Sequence, residues 1–263
     1  MYSIINGALL PAEEAKILIT DLALQRGYGV FDFFKIIDFK PQFLSDHLQR
    51  FYKSATALRL PVGLSETELA KMIFQLIEKN NLPNSGIKIT LTGGYSDDGY
   101  SISSPNLLIT QTPLQPNKQT AISLVTFGHQ RQLPHVKTID YLQAIYLQPF
   151  IKENNADDVL YYHHGEVTEC PRSNFFIVTQ NDEIITASKN ILQGITRKRI
   201  LALNKFNVKE TTVTLDDLKN AKEAFISSTT KNVLPVVSID GQKIGNAEPG
   251  KITLEIYKAI TGQ

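Results

Sequence analysis

Five short segments of this chain carry side chains that can do chemistry. Arg50 lies in D-H-L-Q-R-F, Lys137 in H-V-K-T-I-D-Y-L and Glu169 in V-T-E-C-P-R-S-N-F-F. Gly194-Ile195-Thr196 follow in L-Q-G-I-T-R, and Ser228-Thr229 in I-S-S-T-T-K-N. A lysine amine kept neutral adds to an aldehyde carbon. A carboxylate can keep a pyridine nitrogen protonated, which makes the ring an electron sink. A guanidinium, hydroxyls and helix-opening N–H groups can hold a phosphate. One amine, one carboxylate, one arginine and two hydroxyl-rich cradles are the set that pyridoxal phosphate requires.

Taken singly, each segment has an ordinary explanation. Most lysines at a helix start are solvated, and S-S-T-T alone is a polar loop. Thr196 would serve equally as the cap of an ordinary helix. Context favours chemistry elsewhere. Lys137 closes the irregular run F-G-H-Q-R-Q-L-P just before a helical pattern, and burial near a cation would lower its pKa. The residues after Glu169, C-P-R-S-N-F-F, run straight into an apolar strand and predict a buried loop. Arg50 sits on an apolar-patterned helix, where a guanidinium needs an anion. His163-His164-Gly165 reads as a hairpin turn rather than a metal pair. The glycine loop at 93–99 lacks the G-K-[ST] of a nucleotide phosphate loop. Arg197-Lys198-Arg199 reads as a solvated helix face.

The elements that must position these residues follow from apolar spacing. Residues 2–10 and 16–19 read as strands about a turn at Pro11-Ala12, and Val30–Asp38 as a strand of β-branched and aromatic residues. Leu48, Phe51, Tyr52, Ala55 and Leu58 recur at helical spacing, which predicts a helix over 46–58. Ser65 caps a second helix over 66–80. Strands are expected at 86–92, 106–112 and 121–126, and a helix at 141–153. Hairpins follow at 158–168 and 175–186, then a helix over 196–206, a short helix at 216–220, strands at 223–227 and 233–239, and a closing helix over 249–261. Strands and helices mix without regular βαβ alternation, so the fold class is α+β.

Composition narrows the setting. The chain has 263 residues, 42% hydrophobic and 20% charged, with 27 basic and 26 acidic side chains. That near-neutral balance gives no reason to expect a nucleic acid or an anionic membrane as partner. One cysteine, Cys170, allows no internal disulfide. The first residues lack a basic region followed by an apolar run, which argues against a secretory leader. A reducing cytoplasm is the expected compartment.

At the five segments, and at G-V-F-D-F-F-K over 29–35, the chain resembles the fold-type IV pyridoxal-phosphate enzymes. These are the class IV aminotransferases, with branched-chain and D-amino-acid aminotransferases and the related aminodeoxychorismate lyases. The order and spacing of the motifs, not any one of them, carry the likeness. The resemblance implies a two-domain α+β architecture with the cofactor in the interdomain cleft. The stretch T-P-L-Q-P-N-K-Q, 112–119, has two prolines and no apolar periodicity, so a small N-terminal domain is expected at 1–113, a linker at 114–120 and a larger C-terminal domain at 121–263 carrying the cofactor lysine. The resemblance further implies a homodimer acting on an amino acid and a 2-oxo acid. Lys137 is then the catalytic lysine that binds the cofactor, and Glu169 the partner of its ring nitrogen. Arg50, Ser173, Asn174, Gly194, Ile195, Thr196, Ser228 and Thr229 complete the cofactor site. No metal is implied.

The substrate side departs from relatives. Lyases and many D-amino-acid members end a strand in R-G before the glycine loop, and D-amino-acid members carry R-x-H there. Here Thr92-Gly93 and Asp97-Asp98-Gly99-Tyr100 stand instead. Branched-chain members have a tyrosine-rich pocket and E-G after the matching strand, where this chain has Val30-Phe31-Asp32-Phe33-Phe34-Lys35. Two arginines stand where relatives have other residues: Arg26 ahead of the strand and Arg172 just after Glu169. A guanidinium suits bidentate carboxylate binding, so Arg26 and Arg172 are expected to replace the lost arginine. Phe31, Phe33 and Lys35 share one strand face, which the resemblance places in the substrate pocket. The favoured expectation is transfer from a D-amino acid such as D-alanine or D-glutamate to 2-oxoglutarate. A branched-chain L-amino-acid aminotransferase and an aminodeoxychorismate lyase remain as alternatives.

Overall fold

The computed structural model describes residues 1–115 and 118–262. The chain forms two compact units, Met1–Pro116 with Val136–Asp140, and Asn117–His135 with Tyr141–Gln263. Among the described residues no helix is long and apolar enough to cross a membrane. The linker expected over 114–120 includes residues 116 and 117, which lie outside the described residues.

The first unit contains β1 (Tyr2–Ile5), β2 (Ala8–Pro11), α1 (Leu22–Arg26), β3 (Gly29–Ile37), β4 (Lys40–Pro41), α2 (Leu44–Ala57), α3 (Glu66–Asn80), β5 (Ser85–Thr92) and β6 (Leu107–Pro113). Its strands form one antiparallel sheet in the order β2-β1-β6-β5-β3-β4. The period-two pattern of β3 separates two faces. Val30, Phe34 and Ile36 point into a core shared with Phe51 and Ala55 of α2 and with Leu69, Ile73 and Leu76 of α3. Phe31, Phe33 and Lys35 take the opposite, half-buried face. A capping box fixes the start of α3: Ser65 and Glu68 satisfy each other's backbone N–H groups. The segment 16–19, expected as a strand, is irregular; β1 turns at Asn6-Gly7 into β2 instead.

The second unit contains β7 (Ile122–Gly128), α4 (Leu142–Tyr146), α5 (Gln148–Glu153), β8 (Asp158–His163), β9 (Glu166–Val167), β10 (Glu169–Cys170), β11 (Ser173–Val178) and β12 (Ile184–Ala187). It continues through α6 (Ile195–Leu201), β13 (Val208–Thr211), β14 (Val213–Thr214), α7 (Leu215–Lys219), β15 (Glu223–Ser228), β16 (Asn232–Ile239), β17 (Gln242–Lys243) and α8 (Lys251–Thr261). Its sheet runs β13-β12-β11-β15-β16-β7-β8-β9-β14, with β10 on β11 and β17 on β16. β11 is buried along its whole length. Phe175 and Ile177 face one cluster, while Phe176 and Val178 face another with Phe225, which stacks on Phe176 at 4.6 Å.

Two further expectations need correction. The helix predicted over 141–153 is two short helices, broken at Leu147 where Pro149 limits the backbone hydrogen bonding of the next turn. Lys137, expected within the C-terminal domain, packs in the first unit. The backbone of 136–139 is stitched onto β3: Val30 bridges Thr138, Phe31 N–H donates to the Lys137 carbonyl at 3.0 Å, and Ile139 N–H to the Gly29 carbonyl at 3.0 Å.

Candidate active site

In the first unit the candidate residues gather on β3 and α2. Lys137 is half-buried; its backbone N–H donates to Ser54 Oγ on α2 at 3.2 Å, and its Nζ lies 4.5 Å from the Phe31 ring centroid. Arg50 of α2 grips Asp32 of β3. Nε donates to Oδ2 and Nη2 to Oδ1, both at 2.8 Å. His47, one helical turn earlier, places Nδ1 2.7 Å from the same Oδ1, and Asp32 also accepts the Phe33 N–H. Asp32 is fully buried. Burial alone would raise its pKa, but the Arg50 charge and the His47 and Arg50 hydrogen bonds prevail and hold it well below the usual carboxylate range. The anion that an arginine on an apolar-patterned helix requires is therefore Asp32, which the sequence does not single out. Nη1 of Arg50 takes no part in this clamp.

Lys35 stands beyond Phe33 on the half-buried face, and burial pulls its amine pKa down. The Phe33 ring lies directly on Gly86: a Cβ there would stand 2.4 Å from the ring. Arg26 ends α1, is exposed, and donates from Nη1 to the Gln25 carbonyl. Its Nη2 reaches the glycine loop, 3.6 Å from the position of a Cβ on Gly99. Thr92, where relatives are expected to carry an arginine, is buried, and its hydroxyl donates to Asp21 at 2.7 Å.

In the second unit the β10–β11 hairpin places Glu169 directly across from Asn174 and leaves Arg172 exposed at the turn. Glu169 is buried. Its Oε1 accepts from Arg131 Nε at 2.9 Å and Nη2 at 2.7 Å, and its Oε2 from the Leu192 N–H at 2.9 Å. Asn174 donates to the Leu192 carbonyl at 2.8 Å, so both groups of Leu192 are clamped by this hairpin. Arg131 also donates to the carbonyl of Pro134, which precedes Lys137 closely in sequence. Arg131 gives no signal in the sequence beyond its place in a polar loop.

Gly194 sits against Asn174: a Cβ there would lie 2.1 Å from Oδ1, so any larger residue must displace the Asn174 side chain. Ile195 and Thr196 open α6, whose N-terminus has no side-chain cap. Arg197, read from the sequence as solvated, is instead almost fully buried, bonded to the Ala187 carbonyl, Gln193 and Glu210. Ser228 Oγ accepts the Lys231 N–H at 3.2 Å, and Thr229 is half-buried beside it. Ser173 Oγ and Ser227 Oγ are buried with no hydrogen-bond partner among the described residues. Buried hydroxyls are normally bonded, so a polar ligand fits here. Ser227, one position before the predicted pair, escapes sequence reasoning because a hydroxyl inside a strand looks like packing. Orphaned hydroxyls, a glycine packed against Asn174 and a clamped carboxylate suit a phosphate-bearing heterocycle. Among the described residues no group of three or more His, Cys, Asp or Glu is arranged to hold a metal ion.

This architecture is shared with solved enzymes. The branched-chain amino acid aminotransferase of Escherichia coli superposes with a TM-score of 0.92 at 25% identity, covering 99% of this chain and 93% of that one. The T.th. branched-chain amino acid aminotransferase, solved with pyridoxamine 5'-phosphate, gives 0.90 at 24% identity, covering 99% and 94%. In sequence, the D-alanine aminotransferase of Bacillus licheniformis is 33% identical, over 99% of this chain and 96% of its own length. Fold and donor set together define a pyridoxal-phosphate-dependent enzyme. The model of the amino-transferase class IV family matches residues 29–239, and the chain belongs to that family. It is an aminotransferase that uses pyridoxal phosphate.

Proposed function

We propose that the protein transfers the amino group of a D-amino acid, such as D-alanine or D-glutamate, to a 2-oxo acid such as 2-oxoglutarate. The carrying observation is at the glycine loop. Thr92 is buried and bonded to Asp21, while the exposed Arg26 guanidinium lies beside Gly99 of the same loop. A carboxylate entering a desolvated pocket needs a cation, and Arg26 supplies one from a new direction. Arg172, at the turn after Glu169, supplies the second; among the described residues it forms no ion pair. Similarity to D-alanine aminotransferases supports the same reading.

Bound pyridoxal phosphate supplies the electron sink on which amino transfer depends. In this reading Lys137 is the residue that would hold the cofactor, and its amine would serve as the base that moves a proton at the substrate α-carbon. Glu169, aimed by Arg131 and the Leu192 N–H, would keep the ring nitrogen of the bound cofactor protonated. Asn174 braces that loop. Arg50, Ser173, Gly194, Ile195, Thr196, Ser228 and Thr229 are the residues that would hold the phosphate. Phe31, Phe33 and Lys35 wall the substrate pocket. The enzyme works as a homodimer, for which the exposed Leu142, Ile145 and Tyr146 of α4 offer an apolar surface; light scattering would read a single-chain mass if this is wrong.

Two half-buried phenylalanines on the pocket strand also suit a branched aliphatic side chain, so the branched-chain L-amino-acid reading is the rival. The purified holoenzyme should turn over D-alanine or D-glutamate with 2-oxoglutarate faster than L-leucine. Arg172→Ala should raise the substrate KM with cofactor still bound. Robust turnover of L-leucine or L-valine with no activity on any D-amino acid would overturn the D-specific reading.

A further inference from the structure

The sheet of the first unit has one face packed on α2 and α3 and another that the helices do not cover. On that second face β3, β5 and β6 contribute aromatic rings, threonines, a leucine and lysines, and no carboxylate. Lys88 of β5 stands directly across from Phe33. Its Nζ lies 5.0 Å from the Phe31 ring centroid, and Lys137 Nζ lies 4.5 Å from the same centroid. Among the described residues Lys88 makes no ion pair, and it is exposed. An ammonium held over an aromatic ring by the ring quadrupole, with no carboxylate to neutralise it, is ready for an incoming anion. Lys35, on the same face, is half-buried and its ammonium is disfavoured by that burial, whereas Lys88 is exposed.

We propose that Lys88 is a specificity residue that binds the second, side-chain carboxylate of a dicarboxylic substrate, so that the enzyme prefers glutamate and 2-oxoglutarate to alanine and pyruvate. The inference rests on the reading that amino transfer takes place at Lys137. A substrate whose α-carbon is held there, beside the Phe31 ring, can extend its five-carbon skeleton toward Lys88. A monocarboxylate of three carbons has nothing to place there. The ordinary alternative is that Lys88 is one more solvated lysine on an open sheet.

The test compares the wild-type holoenzyme with Lys88→Met and Lys88→Arg, using both enantiomers of glutamate and alanine. A charge-assisted hydrogen bond lost from a binding site lowers affinity on the order of tenfold. Lys88→Met should therefore lower the glutamate-to-alanine ratio of kcat/KM by about tenfold, mostly through KM, and Lys88→Arg should restore most of it. A binding readout runs in parallel: glutarate should raise the Tm of the wild type and not of Lys88→Met, whereas propionate should not distinguish them. A ratio and a glutarate shift both untouched by Lys88→Met would overturn the proposal, as would equal losses on glutamate and alanine. If the ratio changes for L-glutamate and not D-glutamate, the role of Lys88 stands and the D-specific reading falls.

Discussion

Each unit holds one buried carboxylate gripped by an arginine, and the two pairs differ in how deeply the arginine is buried and in what else holds the carboxylate. In the first unit Asp32 has no exposure and serves Arg50, with His47 as a second partner. In the second, Arg131 remains about one-fifth exposed and serves Glu169, with a backbone N–H as the second partner. In both the carboxylate is the more buried partner, but the arginine is 11% exposed in the first pair and 21% in the second. The difference lies in how much would be left uncompensated if Asp32 or Arg131 were removed. Loss of Asp32 strands a guanidinium and an imidazole among apolar side chains. Loss of Arg131 leaves Glu169 the Leu192 N–H, and the partly exposed space of the lost side chain admits water.

The largest effect should come from breaking the first pair. Asp32→Ala is expected to destabilise the protein by about 3–5 kcal/mol, the range for a buried pair cut on one side, read by chemical denaturation. The pH dependence carries the same signature. A carboxyl held below its unfolded value of about 4 stabilises the fold above that pH, and the contribution is lost as pH falls toward its folded pKa. Wild-type stability should thus decline on acidification below about pH 4, and Asp32→Asn should flatten that part of the profile. Equal slopes in the two proteins would show that Asp32 is not the group titrating.

Arg131→Met should cost less, about 1–3 kcal/mol, because the hydrogen bond from the Leu192 N–H to Glu169 survives. It should also weaken cofactor affinity, since the carboxylate loses its orientation. A loss as large as that of Asp32→Ala would erase the contrast between the two pairs. Gly194→Ala comes next, at about 1–3 kcal/mol, because its methyl must displace Asn174 Oδ1; cofactor affinity should fall with it. The smallest change, and the most discriminating in sign, is Ser227→Ala. Removing an unpartnered buried hydroxyl should leave the cofactor-free protein within about 0.5 kcal/mol of wild type or slightly more stable. The same change should lower affinity for pyridoxal phosphate. Unaltered affinity would return Ser227 to strand packing.

These pairs also show what a sequence can reveal. Arg50 and Glu169 are legible because a family pattern names them; Asp32, His47 and Arg131 are not, because their role is to hold those two. Asp32 is easily passed over in an apolar strand, although an acid between Phe31 and Phe33 in a period-two pattern is itself a sign of an inward charge awaiting a partner. Arg131 stands 38 residues from Glu169 in sequence, and no local pattern links them. The α+β class, α2 and α3 follow from apolar spacing that tertiary packing then reinforces. The assignment of Lys137 to the C-terminal domain fails for a different reason. Chain order suggests it, whereas backbone hydrogen bonds to Gly29, Val30 and Phe31 decide where residues 136–140 pack. Arg197 reads as solvated because it belongs to a run of three cations, yet it points inward to Glu210 and the Ala187 carbonyl.

The most direct test of the account is to locate the cofactor on the chain. The purified holoenzyme should be yellow, lose its visible absorption on borohydride reduction, and yield on peptide mapping a pyridoxyl group on Lys137 alone. Lys137→Ala should abolish both the label and turnover. A pyridoxyl group on any other lysine, Lys35 and Lys88 included, would contradict the assignment and with it the site built around Phe31 and β3.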